Sequence, residues 1–107
     1  MTLEEFGTAI ATLSIPAYYG PLFDSQAVPY ISYTSQERNT IHADGIVIYS
    51  EEWIELRFVS KERDMASEAL IEHLLTTNGI AFYDPDMSYD EKQHIHIVSY
   101  TFMLEGG

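Results

Sequence analysis

Two of the four histidines, His94 and His96, lie one residue apart in the segment QHIHIVSY. Strand side chains alternate between faces, so in a strand these two imidazoles would stand side by side. A zinc site built without cysteine needs three or four His, Asp or Glu ligands that converge on one point. His42, in the segment HADG, could be a third ligand only if that segment lies beside the last strand.

An H-x-H pair without a further spaced ligand is also what a strand with one polar face produces. In that interpretation Ile95 and Ile97 are buried behind His94 and His96. We favour it and predict no metal site here. His73 borders the apolar stripe of a predicted helix, where a half-buried boundary position is the usual role.

Neighbouring carboxylates, which could serve as general acid and base, occur at Glu51–Glu52, Asp84–Asp86 and Asp90–Glu91. Glycoside hydrolysis needs two carboxyls in a cleft, one with a raised pKa, whereas we place these pairs in solvated turns. The segment DPDMSYDE resembles the start of a calcium loop but lacks the central glycine and the final glutamate. No nucleophile-elbow, phosphate-loop, dinucleotide or zinc-protease motif is present. We predict no catalytic residue and no cofactor, and therefore no enzyme.

The composition is that of one folded domain spanning residues 1–107. Hydrophobic residues make up 46% and aromatics 13% of the chain, which excludes a disordered tail. The sequence contains no long apolar run and no signal-peptide pattern, so we predict no membrane association. The absence of cysteine excludes disulfides and fits a reducing compartment.

The charge is strongly negative, with seventeen acidic residues against five Lys and Arg, a net charge of −12. Because binding to nucleic acid ordinarily needs cations that replace counterions, we predict no direct binding of nucleic acid. The acidity favours either simple solubility, or a surface that repels or imitates nucleic acid.

The pattern of elements predicts an α+β fold, with an antiparallel sheet and two helices packed on one face, in the order α-β-β-β-α-β-β. A capping box at Thr2 and Glu5 begins a helix of about three turns, which ends before Pro16. Residues 16–27 are expected to form an ordered loop. Strands are predicted in VPYISYTS, on both sides of the Asp44–Gly45 turn, in EEWIELRFVS, in IAFY and over residues 93–104. A second helix follows Asp64 and stops at Asn78–Gly79, and the acidic segment DPDMSYDEK is a turn-rich connection.

The core is predicted from matching periodicities. Ile54, Leu56 and Phe58 should face the two helices, meeting Phe6 and Ile10 from the first helix. From the second helix we expect the stripe Leu70, Ile71, Leu74 and Leu75.

Several aromatic side chains exceed what this small core can bury. They fall in loops or on outward strand faces, and aromatic residues are enriched at protein interfaces. We therefore predict that they contact a second copy or another partner: Tyr18, Tyr19, Phe23, Tyr30, Trp53 and Tyr89.

The whole-chain pattern resembles one family. The segments VPYISY, HADGIVIYSEEWIELRFVSKERD, TTNGIAFY and VSYTFML follow one another as in the tail-completion, or tail-terminator, proteins of long-tailed phages and prophages of Gram-positive bacteria. The matching positions are Pro29–Tyr30, Ala43–Asp44, Glu55–Leu56, Phe58, Lys61, Asp64, Gly79–Ile80 and Tyr100. The chain departs from that pattern at His96 and Ile97, where the family carries an aromatic and an acidic residue.

The resemblance implies a fold similar to the phage lambda tail terminator and a structural role in the virion, with no enzymatic activity. It implies a homo-oligomeric ring, a hexamer in this family, that caps the tail tube and joins it to the head connector. DNA would only pass through such a ring, whose acidic lumen repels it, and assembly would take place in the host cytoplasm. An acidic module that mimics nucleic acid and inhibits a DNA-binding partner is the alternative.

Overall fold

The structure, a computed structural model, describes residues 1–20 and 27–106. Two helices and five strands lie within these ranges. In chain order they are α1 (Leu3–Ile10), β1 (Ala17–Tyr19), β2 (Tyr30–Ala43), β3 (Ile46–Ser60), α2 (Met65–Thr77), β4 (Asp86–Asp90) and β5 (Ile95–Gly106). Neither of the two described helices is long and apolar enough to cross a membrane.

The strands form one sheet in the spatial order β1-β2-β3-β5-β4. All neighbours are antiparallel except β1 and β2, which run parallel. The α+β class is confirmed, but the predicted all-antiparallel sheet is wrong because of β1. Strand β1 lies in the segment expected to be a loop, where Tyr18 and Tyr19 pair with Ser32 and Tyr33 of β2.

Helix α1 begins with the predicted capping box. The Thr2 hydroxyl accepts from the Glu5 amide and the Glu5 carboxylate accepts from the Thr2 amide, each at 3.1 Å. These hydrogen bonds lower the pKa of Glu5. The helix has only eight residues, shorter than predicted, because tighter turns at residues 11–13 replace it before Pro16 is reached. Gly7 lies close to the sheet: a Cβ at this position would be 2.9 Å from the Tyr33 hydroxyl.

Helix α2 has the predicted bounds. Asp64 is the N-cap and accepts from the Ser67 amide at 3.0 Å, while Asn78 is the C-cap. Gly79 follows at φ +71°, a conformation that glycine adopts without steric cost.

Strands β2 and β3 form one long hairpin, which merges segments that the sequence predicted as separate short strands. Its turn is the predicted one, with Asp44 and Gly45 both at positive φ. Strand β1 pairs with β2 only at residues 31–33, and β5 pairs with β3 only from Ser50 onwards. Residues 41–49 therefore extend beyond the rest of the sheet as a two-stranded ribbon, which we call the arm.

The arm makes the molecule elongated. The principal dimensions are 53 × 28 × 23 Å, and the radius of gyration is 15.0 Å. A compact domain of this length has a radius of gyration of about 13 Å.

Two further predictions are wrong at the C-terminal part of the sheet. The segment IAFY contributes only an isolated bridge between Phe82 and Phe102 instead of a strand. Strand β4 forms instead within the acidic segment that was predicted to be a turn, and it pairs with residues 95–99 of β5. The sequence of this segment lacks the apolar–polar alternation that marks a half-buried strand, because β4 is an edge strand whose residues are mostly exposed.

The core lies between the helices and one face of the sheet. Ile54, Leu56 and Phe58 are fully buried, as predicted, and face Phe6 and Ile10 of α1. Ile71, Leu74 and Leu75 of α2 join this cluster, as do alternate residues of β5.

Leu70 is the exception in the predicted stripe, because its side chain is 46% exposed. Glu68 is buried instead, and its carboxylate lies 3.5 Å from the Arg63 guanidinium. Helix α2 is therefore rotated relative to the predicted stripe, so that a carboxylate and not Leu70 faces inwards. The Arg63 contact offsets part of the cost of burying that charge.

Tyr100, in the centre of β5, has no exposed surface, and its hydroxyl donates to the Glu72 carboxylate of α2 at 3.0 Å. Burial raises the pKa of Tyr100 well above its usual range, and the Glu72 contact adds to this effect. The hydrogen bond ties α2 to the sheet.

We expect Leu56→Ala to lower the free energy of unfolding by about 2–5 kcal/mol, since a fully buried leucine is truncated in a packed core. Urea denaturation measures this change. Leu70→Ala, at an exposed position in α2, is the matched control and should cost much less. A loss below about 0.5 kcal/mol for Leu56→Ala would mean that the other face of β3 is buried.

Stability should also fall at alkaline pH. In the unfolded chain Tyr100 ionises near pH 10, whereas the folded state keeps it neutral, so its contribution is complete below about pH 10 and is lost as pH rises. One such group gives a slope of at most about 1.4 kcal/mol per pH unit. Tyr100→Phe should therefore flatten the decrease in unfolding free energy between pH 9 and 11.5. Because Tyr33 also has a raised pKa through burial, part of the decrease should remain. Equal slopes in the two proteins would contradict this explanation.

Candidate assembly surface

The sheet face opposite the helices is amphipathic, and we call it the open face. In the described residues no helix packs on it, because both helices lie against the other face. Strand alternation and register place these apolar side chains on it: Tyr30, Trp53, Val59, Ile97 and Met103. They alternate with polar side chains: Ser32, Thr34, Glu55, Arg57, Ser99 and Thr101. Apolar groups on a sheet face without helices are a typical contact surface for another layer.

A groove of about 390 Å³ crosses the open face. Its lining includes the half-buried side chains of Tyr30, Ile95 and Ile97, together with Val59, which is only 4% exposed. The charged residues among its described lining are Glu55 and Arg57, which form an ion pair with Nε and Oε1 2.7 Å apart. The groove is therefore close to neutral on a chain of net charge −12.

The arm carries exposed apolar side chains. Register places Ile41, Ala43 and Ile46 on the side that continues the open face, whereas His42 and its partner Val47, which is 47% exposed, point to the other side. Ile41 is 55% exposed and Ile46 is 66% exposed. Sequence reasoning missed these residues as interface candidates. The signal for them was the apolar alternation that continues to the Asp44–Gly45 turn.

The base of the arm is fixed by polar contacts on the open face. The Tyr49 hydroxyl lies 3.2 Å from one Glu51 carboxylate oxygen and 3.5 Å from Glu105 of β5. The Asn39 amide donates to the other Glu51 oxygen at 3.2 Å. Burial and the neighbouring Glu105 carboxylate raise the pKa of Tyr49. Tyr49 therefore stays protonated and joins the arm to β5.

Three of the six predicted interface aromatics lie on the open face. Tyr18 and Tyr30 make an edge-to-face contact at 6.4 Å between ring centroids. Trp53, as predicted, points outwards, where it stacks on Tyr83 with centroids 6.1 Å apart. Tyr83, which is 63% exposed, was not among the predicted residues.

The other predicted aromatics do not join this surface. Tyr19 points to the helix-covered side and contacts Tyr33, with ring centroids 5.4 Å apart. Tyr89 is exposed on the edge strand β4, opposite His96. Phe23 lies outside the described residues.

The two clustered histidines do not share a strand face. Strand β5 begins at Ile95, and His94 precedes it with φ +55°, so period-two alternation does not apply to it. Its ring lies 3.4 Å from the Tyr89 hydroxyl. His96 points to the helix-covered side, whereas Ile95 and Ile97 are only half-buried on the open face. The predicted polar strip with buried isoleucines behind it is therefore wrong.

The remaining histidines are separated from this pair. His42 lies on the arm, where its ring is 2.9 Å from the Thr40 hydroxyl. His73 is exposed on α2, not half-buried as predicted, and lies 3.4 Å from the Thr77 hydroxyl.

The carboxylate pairs are also dispersed. Glu51 and Glu52 lie in β3, not in a turn as predicted, and consecutive strand residues point to opposite faces. Asp90 accepts from the amides of Lys92 and Gln93 and so stabilises the turn before β5. Within residues 1–20 and 27–106, no three His, Asp or Glu side chains are grouped so that they could hold a metal ion.

We expect the protein to keep its thermal stability when metals are removed, because the histidine rings are dispersed over the arm, α2 and the start of β5. Melting curves with and without EDTA test this. A lower melting temperature in EDTA that zinc restores would show that His94 and His96 do bind a metal.

The comparisons with known proteins give no relative. No protein-family model matches the chain, and no curated protein is similar enough to establish a relationship.

Proposed function

We propose that this chain is a structural virion protein that forms a ring, caps the phage tail tube and provides the surface to which the head connector binds. The observation that carries the proposal is the pair of apolar surfaces outside the core: the open face and the arm. Exposing apolar groups to water does not stabilise a monomer, whereas a ring subunit needs surfaces that contact its neighbours.

The sequence resemblance supports the same role. The ordered segments from VPYISY to VSYTFML follow the pattern of tail-completion proteins, and an α+β domain with a sheet and two helices is the architecture that this resemblance implies. We infer from it a fold similar to the phage lambda tail terminator, a hexameric ring, and location at the head–tail interface of the virion. Tail tube protein, head connector and further copies of this chain are the proposed partners.

The charge fits a channel through which DNA passes. At −12 per subunit, a ring presents a dense negative field. Carboxylates that line the opening repel the phosphate backbone, so that DNA slides without binding. The edge strand β4 and its flanks contribute a run of acidic residues for such a surface: Asp84, Asp86, Asp90 and Glu91.

The same excess of acidic residues favours the alternative function, an acidic module that imitates nucleic acid and inhibits a DNA-binding protein. This module would bind one basic partner tightly, and DNA would compete with it. It would need neither the arm nor the open face for contacts between copies.

Sedimentation and negative-stain imaging, with and without tail tubes, test the proposed function. We expect rings and capped tubes, with ring formation in free solution favoured by salt, because screening weakens repulsion between subunits. The Debye length falls from about 30 Å at 0.01 M to about 3 Å at 1 M salt.

A matched pair of variants makes this experiment specific. Trp53→Ser, on the open face, should reduce ring formation and capping, whereas Leu70→Ser, on the exposed side of α2, should leave both unchanged. A wild-type chain that stays monomeric at every ionic strength and binds no tubes would contradict the proposed function. Binding to a basic partner that DNA displaces would then favour the alternative.

A further inference from the structure

The arm and the groove lie at opposite ends of the same two strands. The groove is lined by residues 30–36 of β2 and 55–59 of β3, together with Ile95 and Ile97 of β5. The arm begins further along the same two strands, at Ile41 and Tyr49, and extends away from the groove to the Asp44–Gly45 turn. Within one chain the tip of the arm cannot reach the groove, because both belong to one continuous ladder.

The arm lacks partners for its apolar side and for its backbone edges. Ile41 and Ile46 point away from the core, and the outer edge of β2 is unpaired beyond Tyr33 in the described sheet. An isolated two-stranded hairpin is only marginally stable in water, and it needs another layer to bury its apolar side. An unpaired edge is also a template for another chain.

The dimensions of the two surfaces match. At about 3.3 Å per residue, the four residues from Ile41 to Asp44 reach about 13 Å. The groove is lined mainly by three adjacent strands, β2, β3 and β5, which at a spacing of about 4.8 Å span about 10 Å. One arm is therefore long enough to lie across the groove of another copy.

The charges also match. Apart from Asp44 and His42, residues 39–50 carry no acidic or basic side chain, so this stretch adds little to the repulsion between two chains of net charge −12. Arg57 is the one cation among the described residues that line the groove. Its contact with Glu55 uses Nε, and the guanidinium has further donors that can bind a second carboxylate. Asp44, exposed at the tip, supplies such a carboxylate.

We propose that the arm of one copy docks on the open-face groove of the next, with Ile41 and Ile46 against Tyr30, Ile95 and Ile97, and Asp44 near Arg57. The occupant of the groove is a second copy of this chain. Since two different surfaces meet, the contact is head-to-tail, and its repetition closes into a ring if the rotation between copies permits. The inference deepens the proposed function, on which it rests for ring closure.

The absence of native cysteine allows a clean crosslinking experiment. Chains carrying Ile46→Cys are mixed with chains carrying Ile97→Cys at several ionic strengths, and a short bismaleimide is added. We expect a crosslinked dimer that contains one chain of each kind. Mixing Ile46→Cys with Leu70→Cys, an exposed position on α2, is the matched control and should give only background.

Other occupants of the groove give different products. Crosslinks of Ile46→Cys chains with themselves would show that two arms pair symmetrically, and this would overturn the head-to-tail contact. A thiol at Ile97→Cys that is protected from maleimide in dilute monomer would show that the chain covers its own groove, which also overturns the proposal. Equal yields from the test and control pairs would do the same.

Charge exchange provides a second measurement that does not depend on cysteine. Asp44→Lys and Arg57→Glu should each weaken self-association by about tenfold, which corresponds to about 1.4 kcal/mol. In a chain that carries both changes the opposite charges face each other again, so association should recover. A double variant weaker than either single variant would contradict the proposed pairing.

These experiments use no tail tubes, so their outcome is independent of the tail-capping experiment that tests the proposed function. Specific crosslinks between Ile46→Cys and Ile97→Cys chains, without capping of tubes, would support the docking contact and contradict the tail role. Capped tubes without these crosslinks would support the tail role and contradict the docking contact.

Discussion

The β2–β3 ladder is the constraint on which the rest of the structure depends. The Asp44–Gly45 turn starts this ladder, and two register shifts, between Ile41 and His42 and between Ser35 and Glu37, then decide which residues lie opposite each other near Leu56. A slip by one residue would move Leu56 from the core to the open face. The two helices could then find no apolar surface to cover.

The same ladder has two different environments along its length. Near Leu56 it has helices on one side and β5 beside it, so alternation separates a buried face from an open one. Beyond Ser50 the ladder has no β5 beside it among the described elements, yet apolar residues such as Ile41 and Ile46 continue. The strands are thus longer than the domain needs for its own stability, and the surplus forms the arm.

Polar groups in this protein hold elements in place more than they form a reactive centre. The Tyr100 hydroxyl and Glu72 tie α2 to the sheet, and Tyr49 with Glu105 ties the arm to β5. Each of these carboxylates has a structural contact with a tyrosine. The acidic residues that remain exposed give the surface its negative field.

The sequence by itself determined the features that depend on neighbours along the chain. The capping box at Thr2, the helix from Asp64 to Asn78, the Asp44–Gly45 turn and the burial of Ile54, Leu56 and Phe58 all follow from local hydrogen bonds or from strand alternation. Contacts between distant segments carry no such signal. Only the tertiary structure decided that β1 pairs parallel to β2, that β4 forms an edge strand, that α2 turns Leu70 outwards, and that His94 lies outside the strand of His96. The interface candidates divide in the same way: outward Trp53 could be predicted from alternation, whereas the exposure of Ile41 and Ile46 depends on where the core ends, which no local pattern records.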